Sequence, residues 1–234
     1  MPQTFLRAQW LNLIMANYEI DPSVLQPLLP YGTELDSWEG RHYVSLVGFL
    51  FYDTRVLGVP IPWHRTFEEV NLRFYVKRGD KRGVVFVKEI VPKPAISFVA
   101  NTLYGEHYVT RKMSHHWQIE AERRQIEYAW QSKSGRHHLK VLAEGKAQPL
   151  EEGSEAAFIT EHYWGYTRLA ERKTGEYRVA HPSWDVFSVS QYDIQLDVAE
   201  VYGAAFLPAL SIEPLSVFLA AGSEISVEKG QKIS

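Results

Sequence analysis

The sequence predicts a mostly β protein, a β-rich α+β fold whose largely antiparallel sheet closes on itself or forms a sandwich. Two observations favour this class: short strand-like runs follow one another closely along the 234 residues, and only three stretches carry helix signals. Strand signals dominate the chain. The candidate strands cover residues 11–18, 42–51, 69–76, 83–91, 117–121, 126–131, 138–146, 157–167, 176–180, 184–197, 215–220 and 224–227.

The two clearer helix signals each begin at a proline. Asp21 is a suitable N-cap for a short helix that starts at Pro22 and stops at Pro30. A second helix is predicted from Pro94, because apolar residues recur on one face from there until Gly105 ends it.

The connections between these elements give no sign of a second domain. Residues 172–175 read as a hairpin loop, and residues 198–202 favour a short third helix. Residues 77–82 combine four cations with Gly and Asp, which is typical of a solvated hairpin tip. Only residues 148–155 resemble a boundary, so we predict one domain over residues 1–234.

Composition excludes several classes of function. A net charge of −3 lacks the basic surface that nucleic-acid binding requires. The absence of cysteine excludes disulfides, a thiolate nucleophile and Cys-ligated zinc. No cationic and apolar leader opens the chain, and no apolar run approaches the ~18–20 residues of a spanning helix. We therefore predict a cytoplasmic protein that binds neither nucleic acid nor membrane.

Strand 69–76 has one apolar face and one polar face. Period-two alternation places Glu69, Asn71 and Arg73 on the polar face. That face lies either in water on an outer strand or in the lumen of a barrel, where Glu69 and Arg73 would pair and hold a ligand. His64 and Arg65 precede the strand on a Pro-rich loop, which would hold them at the mouth of such a lumen.

A second group of polar residues follows the second predicted helix. Arg111 and Lys112 stand side by side there, and a lysine beside another cation has a lowered pKa and can become a nucleophilic amine. The plainer interpretation is a pair of surface charges on a loop. Histidine doublets at 115–116 and 137–138 predict no metal site, because adjacent strand residues point to opposite faces.

A third group is aromatic. Tyr163 and Trp164 lie in one run and His181 and Trp184 in another, joined by a Gly-containing connection. We expect the two runs to stack as neighbours. The residues then serve either sheet packing or the wall of a pocket.

Several runs along nearly the whole chain resemble the YqjF-like family of uncharacterised bacterial proteins. They are residues 17–22, 33–36, 43–49, 64–73, 83–86, 162–166 and 181–184. The fold of that family resembles acetoacetate decarboxylase, with similar pieces at residues 18–21, 52–54, 67–70 and 110–113. The resemblance implies a cone-shaped antiparallel barrel with a central cavity and a few short helices outside it.

The resemblance also implies which residues could act. The decarboxylase uses a Schiff-base lysine whose pKa is lowered by a neighbouring lysine, in a cavity shaped by carboxylates and an arginine. That lysine pair matches Arg111 and Lys112, with arginine at the Schiff-base position in the simplest match, and arginine stays protonated near pH 7. Glu69 matches one family carboxylate, and the apolar Val47 replaces the other. We therefore expect no acetoacetate decarboxylase activity.

The function predicted from these residues is binding of a small anionic or carbonyl-containing organic ligand in the lumen. Arg111 would receive a carboxylate or enolate oxygen through its planar fork, and Glu69 would act as acid or base or pair with an arginine. One alternative is a lyase or enol-type enzyme on a small keto acid, in which a one-residue slip makes Lys112 reactive. Another is a structural or interaction domain with a filled barrel. We predict no cofactor, and exposed strand edges favour a homo-oligomer.

Overall fold

One continuous sheet of fifteen strands organises the computed structural model, which describes residues 4–234. The strands are β1 (Thr4–Glu19), β2 (Glu34–Leu35), β3 (Tyr43–Val56), β4 (Val59–Pro60), β5 (Phe67–Arg78), β6 (Lys81–Val91), β7 (Tyr108–Thr110), β8 (Met113–Ile119), β9 (Arg123–Gln131), β10 (Arg136–Gln148), β11 (Trp164–Ala170), β12 (Lys173–Ala180), β13 (Val186–Gln195), β14 (Ser216–Glu228) and β15 (Gln231–Ile233). The helices are α1 (Pro22–Leu25), α2 (Pro94–Leu103), α3 (Glu155–Thr160), α4 (Val198–Val201) and α5 (Leu207–Leu210).

Seven strands close into a ring. They follow one another in the order β12, β11, β6, β5, β3, β1 and β14, and β14 pairs back to β12 at Val179↔Val227 and Ala180↔Ser226. All neighbours in the ring are antiparallel except β11 and β6, which run parallel at Trp164↔Gly83. The predicted mostly antiparallel barrel is therefore confirmed.

A second layer of strands covers part of the outside of the ring. Strands β13, β10, β9 and β8 continue the sheet from β14 and fold back over β1 and β3. A Cβ added at Gly48 of β3 would lie 3.1 Å from both Leu139 and Tyr128 of this layer, so the two layers approach closely at this glycine. The Tyr128 hydroxyl donates to the carbonyl of Asn12 at 3.0 Å and ties the layer to β1.

Both faces of β5 are buried as a result. Val70, Leu72 and Phe74 pack into the hydrophobic core between the ring and the outer layer. The opposite face of the same strand carries Glu69, Asn71 and Arg73, which are also buried. Period-two alternation predicted these two faces, and the polar face turns into the ring and away from bulk water.

Two predicted elements between residues 155 and 175 are wrong. Residues 155–160 form helix α3 instead of the start of a strand, because the Ser154 hydroxyl accepts a hydrogen bond from the Ala157 amide at 3.2 Å and caps the helix. The strand begins later, at Trp164. The predicted hairpin loop at 172–175 lies mostly within β12, since the turn itself falls at residues 171–172.

The hairpin tip between β5 and β6 is more than a solvated turn. The Lys81 ammonium lies 2.8 Å from the carboxylate of Glu176, whose side chain is fully buried. The Arg82 guanidinium lies 2.7 Å from Asp36, which is also buried. The sequence predicted that Lys81 and Arg82 lie in water. Instead, they attach the tip to β12 and to the segment after β2.

The predicted first residues of the helices are confirmed. The Asp21 carboxylate accepts a hydrogen bond from the Ser23 amide at 2.8 Å, and α2 begins at Pro94. The third predicted helix corresponds to α4. No helix within residues 4–234 has both the length and the apolar character to cross a membrane.

Candidate functional site

A cavity of about 150 Å³ lies inside the ring of strands. All seven strands of the ring contribute to its wall, and helix α2 and the residues that follow it contribute one side. Most of the wall is apolar. The larger apolar side chains are Phe5, Leu6, Trp10, Leu13, Phe49, Phe51, Phe67, Phe86, Ile96 and Val99.

Three polar side chains enter the cavity from β5. Asn71 donates from Nδ2 to Glu69 Oε1 at 3.0 Å, and the Tyr108 hydroxyl donates to Glu69 Oε2 at 3.0 Å. Burial raises the pKa of Glu69 to about 7, although both hydrogen bonds and the positive charge of Arg73 favour the ionised form. This carboxyl can therefore exchange a proton near neutral pH.

Two further carboxyl groups share the cavity. Glu106 accepts hydrogen bonds from the hydroxyls of Thr167 at 2.5 Å and Tyr177 at 2.8 Å, and burial raises its pKa to about 7. Glu89 lies on β6, and burial together with the charges of Glu106 and Glu69 raises its pKa well above the usual range. Three carboxyls thus face one apolar space, and their mutual repulsion favours protonated forms.

Several buried polar atoms on this wall have hydrogen-bonding capacity left over. The Arg73 side chain donates from Nη2 to the Ile159 carbonyl at 3.0 Å, but its Nε finds no acceptor within residues 4–234. In the same part of the chain, Asn71 Oδ1 and Glu89 Oε2 find no donor. A buried polar atom without a partner costs free energy, so each of these atoms favours a polar contact from a molecule in the cavity.

An aromatic stack forms the other end of the wall. His181 stacks on Trp184 with 4.0 Å between ring centroids and 16° between planes. Trp184 packs on Trp10 at 6.0 Å, and burial lowers the pKa of His181 to about 4. This end is therefore uncharged at neutral pH and suits the apolar part of a ligand.

Six of the residues singled out in the sequence converge on the cavity. They are Glu69, Asn71, Arg73, Trp164, His181 and Trp184. The two aromatic runs stack as expected, since Tyr163 packs on His181 with 4.8 Å between centroids. Tyr163 itself does not belong to the wall that residues 4–234 build around the cavity.

Arg111 and Lys112 lie outside the ring, and the expectation that they reach the lumen is wrong. Tyr108 of β7 lines the cavity, but this short strand, which pairs with β6 beside the ring, ends at Thr110, before Arg111. Both side chains are exposed. The Arg111 guanidinium donates to the Thr110 carbonyl at 2.9 Å, on the outer surface.

His64 and Arg65 also lie away from the cavity. Arg65 is exposed and forms an ion pair with Asp53, while a ring nitrogen of His64 lies 2.9 Å from the Pro62 carbonyl. The loop that carries them folds back on the end of β3, where the Thr54 amide donates to the Arg65 carbonyl at 2.9 Å. The loop therefore does not bring these side chains to the cavity.

Sequence reasoning missed Glu89, and a β-bulge explains why. Leu72 pairs with Lys88 but Arg73 pairs with Phe86, so Val87 has no opposite residue. Strict alternation from Phe86 would put Lys88 in the cavity and Glu89 outside, whereas the bulge reverses this order. The signal in the sequence was the charged pair Lys88 and Glu89 within the otherwise apolar residues 83–91.

Glu106, Tyr108 and Tyr177 were also missed. Glu106 precedes β7, and Tyr177 reaches it from β12, so only the closed ring brings them together. The three cavity glutamates are not arranged as metal ligands, and no group of three or more His, Asp or Glu side chains within the described part of the chain is so arranged.

A curated protein is similar in sequence to part of this chain. The curated protein YqjF of Bacillus subtilis (strain 168), described as uncharacterized, is 35% identical over 82 residues, which is 35% of this chain and 34% of that protein. The match thus spans about a third of the relative's length.

Solved structures with the same fold share little sequence identity with the chain. An acetoacetate decarboxylase-like enzyme from Sphingomonas wittichii RW1 has a TM-score of 0.68 at 15% identity, covering 98% of this chain and 93% of that one. Acetoacetate decarboxylase from Legionella pneumophila has a TM-score of 0.70 at 13% identity, covering 98% and 87%. The enduracididine biosynthesis enzyme MppR complexed with pyruvate has a TM-score of 0.67 at 12% identity, covering 100% and 90%. The acetoacetate decarboxylase-like fold is therefore confirmed. The family DUF2071, described as an uncharacterized conserved protein, matches residues 7–224, and the chain belongs to it.

Proposed function

We propose that the protein binds a small organic molecule inside the ring, with a carbonyl or carboxylate oxygen of the ligand on Arg73. The buried guanidinium of Arg73 carries this proposal. The residue is 8% exposed, lines the cavity and has an Nε–H without an acceptor among residues 4–234. Arginine N–H groups bind carbonyl and carboxylate oxygens strongly in such surroundings. Pyruvate, which MppR binds within the same fold, has both kinds of oxygen.

The cavity also limits the size and the character of the ligand. A dry apolar cavity of about 150 Å³ can hold a molecule such as benzene, so we expect roughly six to ten non-hydrogen atoms. Trp10, Phe49 and Phe51 would cover the apolar part of the ligand, while Asn71 and Arg73 would fix its polar end. An open cavity of this volume speaks against the alternative of a filled barrel.

An enol-type enzyme is the second candidate, and the carboxyl of Glu69 favours it. A group with a pKa of about 7 both gives and takes protons readily at neutral pH. Beside a carbonyl held by Arg73, Glu69 would remove a proton from the neighbouring carbon. An enzyme that forms a Schiff base with its substrate is not supported, because Lys112 lies outside the ring and no lysine of the described residues lines the cavity. The cytoplasmic location and the homo-oligomer stay predictions from the sequence.

A binding screen with a matched pair of variants tests the proposal. Small ketones, keto acids and carboxylates are titrated by calorimetry against hydrocarbons of the same shape. Ala100→Phe on α2 puts a ring into the cavity wall, whereas Ala95→Phe places the same ring at an exposed position of the same helix. We expect binding of the oxygen-bearing compounds, a loss of about tenfold or more in Ala100→Phe, and no loss in Ala95→Phe.

Two results would overturn the proposal: no compound binds, or both variants bind as well as the parent protein. The same panel incubated in heavy water separates the two candidate functions. If protons on the carbon beside the ligand carbonyl exchange with deuterium in the parent protein but not in Glu69→Gln, the enzyme is supported. Binding without exchange or product supports binding alone.

A further inference from the structure

Two neighbouring acceptor atoms on the cavity wall lack a donor. Asn71 on β5 and Glu89 on β6 are register partners, so their side chains are neighbours on the same face of the sheet. Each residue is only 2% exposed. Asn71 uses its Nδ2 for Glu69, and neither Asn71 Oδ1 nor Glu89 Oε2 receives a hydrogen bond from any residue between 4 and 234.

The protein donors close to these atoms are already used. The Tyr108 hydroxyl donates to Glu69 and also lies close to the Glu89 carboxyl, and the Tyr177 hydroxyl donates to Glu106. Arg73 is the one cation among the described wall residues, against three carboxyl groups. This part of the wall therefore has acceptor atoms to spare and, among its described residues, no cation besides Arg73. The buried carboxyls favour their protonated forms in the empty cavity, and a cation bound among them would favour ionisation.

We propose that the ligand carries a cationic nitrogen, an ammonium or amidinium group, which binds Glu89 and Asn71 inside the ring. This inference rests on the proposed function, because it assigns a second group to the same small molecule. The nitrogen donates to the Glu89 carboxylate and the Asn71 amide oxygen, and its positive charge favours ionisation of Glu89 and of the neighbouring Glu69 and Glu106. Arg73 then holds an oxygen of the ligand at the other end of the β5 polar face.

A series of isosteres tests the cationic nitrogen. Benzylamine, benzyl alcohol and toluene have nearly the same shape and suit the size of the cavity. Calorimetric titration should show benzylamine binding about tenfold or more tightly than the other two compounds. Glu89→Gln should remove that preference, so that benzylamine and benzyl alcohol bind the variant about equally. Glu68→Gln, an identical substitution on the outward face of β5, should retain the preference.

The outcomes distinguish this inference from the proposed function. If carbonyl compounds or benzyl alcohol bind and benzylamine gains nothing over benzyl alcohol, the cationic site is wrong and the binding cavity stands. That result would mean that Glu89 keeps a proton and donates it to Asn71. If no compound of either series binds, the proposed function itself fails. A preference for benzylamine that survives in Glu89→Gln would also overturn the assignment.

Discussion

The carboxyl groups of Glu69, Glu89 and Glu106 dominate the site at the scale of single residues. Each is buried, and the charge on one opposes ionisation of the others. Removing a carboxylate from water costs free energy, so the folded chain favours the protonated form of these groups. Acidic residues that would be harmless on the surface thus make the stability of this protein dependent on pH.

Glu106→Gln should weaken that dependence. The pKa of Glu106 rises from its usual 4.5 to about 7 on folding, so its stabilising effect is complete below about pH 4.5 and is lost as the pH rises through 7. Glutamine keeps the acceptor for Thr167 and Tyr177 but cannot ionise. Relative to the parent, the variant should gain about 2 kcal/mol in unfolding free energy between about pH 5 and about pH 8.

Urea unfolding at both pH values measures this difference. Glu122→Gln serves as the control, because Glu122 is exposed in the turn between β8 and β9, outside the ring of strands. This variant should follow the parent at both pH values. An unfolding free energy of Glu106→Gln that varies with pH as strongly as that of the parent would contradict the assignment of Glu106 as a buried group whose pKa rises on folding.

At the scale of single elements, the alternation of polar and apolar residues predicted site residues only where a strand has no bulge. Glu69, Asn71 and Arg73 lie on a regular part of β5, and their shared face could be read from the sequence. Glu89 could not, because the bulge at Val87 changes which side of β6 faces inward, and a bulge leaves no fixed pattern in sequence. The misplaced Arg111 and Lys112 have a different cause, because they were assigned to the lumen from the family resemblance and from no strand pattern.

Strand β11 illustrates how one element positions a site residue on its neighbour. Gly165 pairs with Tyr177 of β12, and the ring of Tyr177 occupies the space above the glycine. A Cβ at position 165 would lie 2.2 Å from Cζ of Tyr177, which no packed structure accepts. Glycine therefore allows Tyr177 to reach Glu106 and to line the cavity.

Gly165→Ala should consequently destabilise the protein and displace Tyr177 from Glu106. Overpacking of this kind costs about 1–3 kcal/mol. Gly175→Ala on β12 is the matched control, because its added Cβ would lie 3.5 Å from Leu169, an ordinary contact. Both substitutions restrict the unfolded chain alike, so the difference between their urea unfolding free energies isolates the clash. Equal unfolding free energies for the two variants would show that Tyr177 does not depend on Gly165.

At the scale of the whole molecule, the barrel depends on two short seams. Strand β1 pairs along nearly its full length with β14 on one side and β3 on the other. By contrast, β12 meets β14 at two residue pairs, and β11 meets β6 at two. The sequence predicted the strands and, through family resemblance, the barrel, but the seams join residues far apart in the chain and leave no local signal.

The seams should open before the rest of the ring. The amide hydrogens that bond across the seams, among residues 164–165 with 83–84 and 179–180 with 226–227, should therefore exchange with deuterium faster than those of residues 14–16 in the middle of β1, because local opening there breaks few hydrogen bonds. Trp164, Gly165, Val179 and Val227 lie at the seams and also line the cavity. A bound ligand should thus slow exchange at the seams more than in β1. Equal exchange across the ring, with and without ligand, would contradict weak seams.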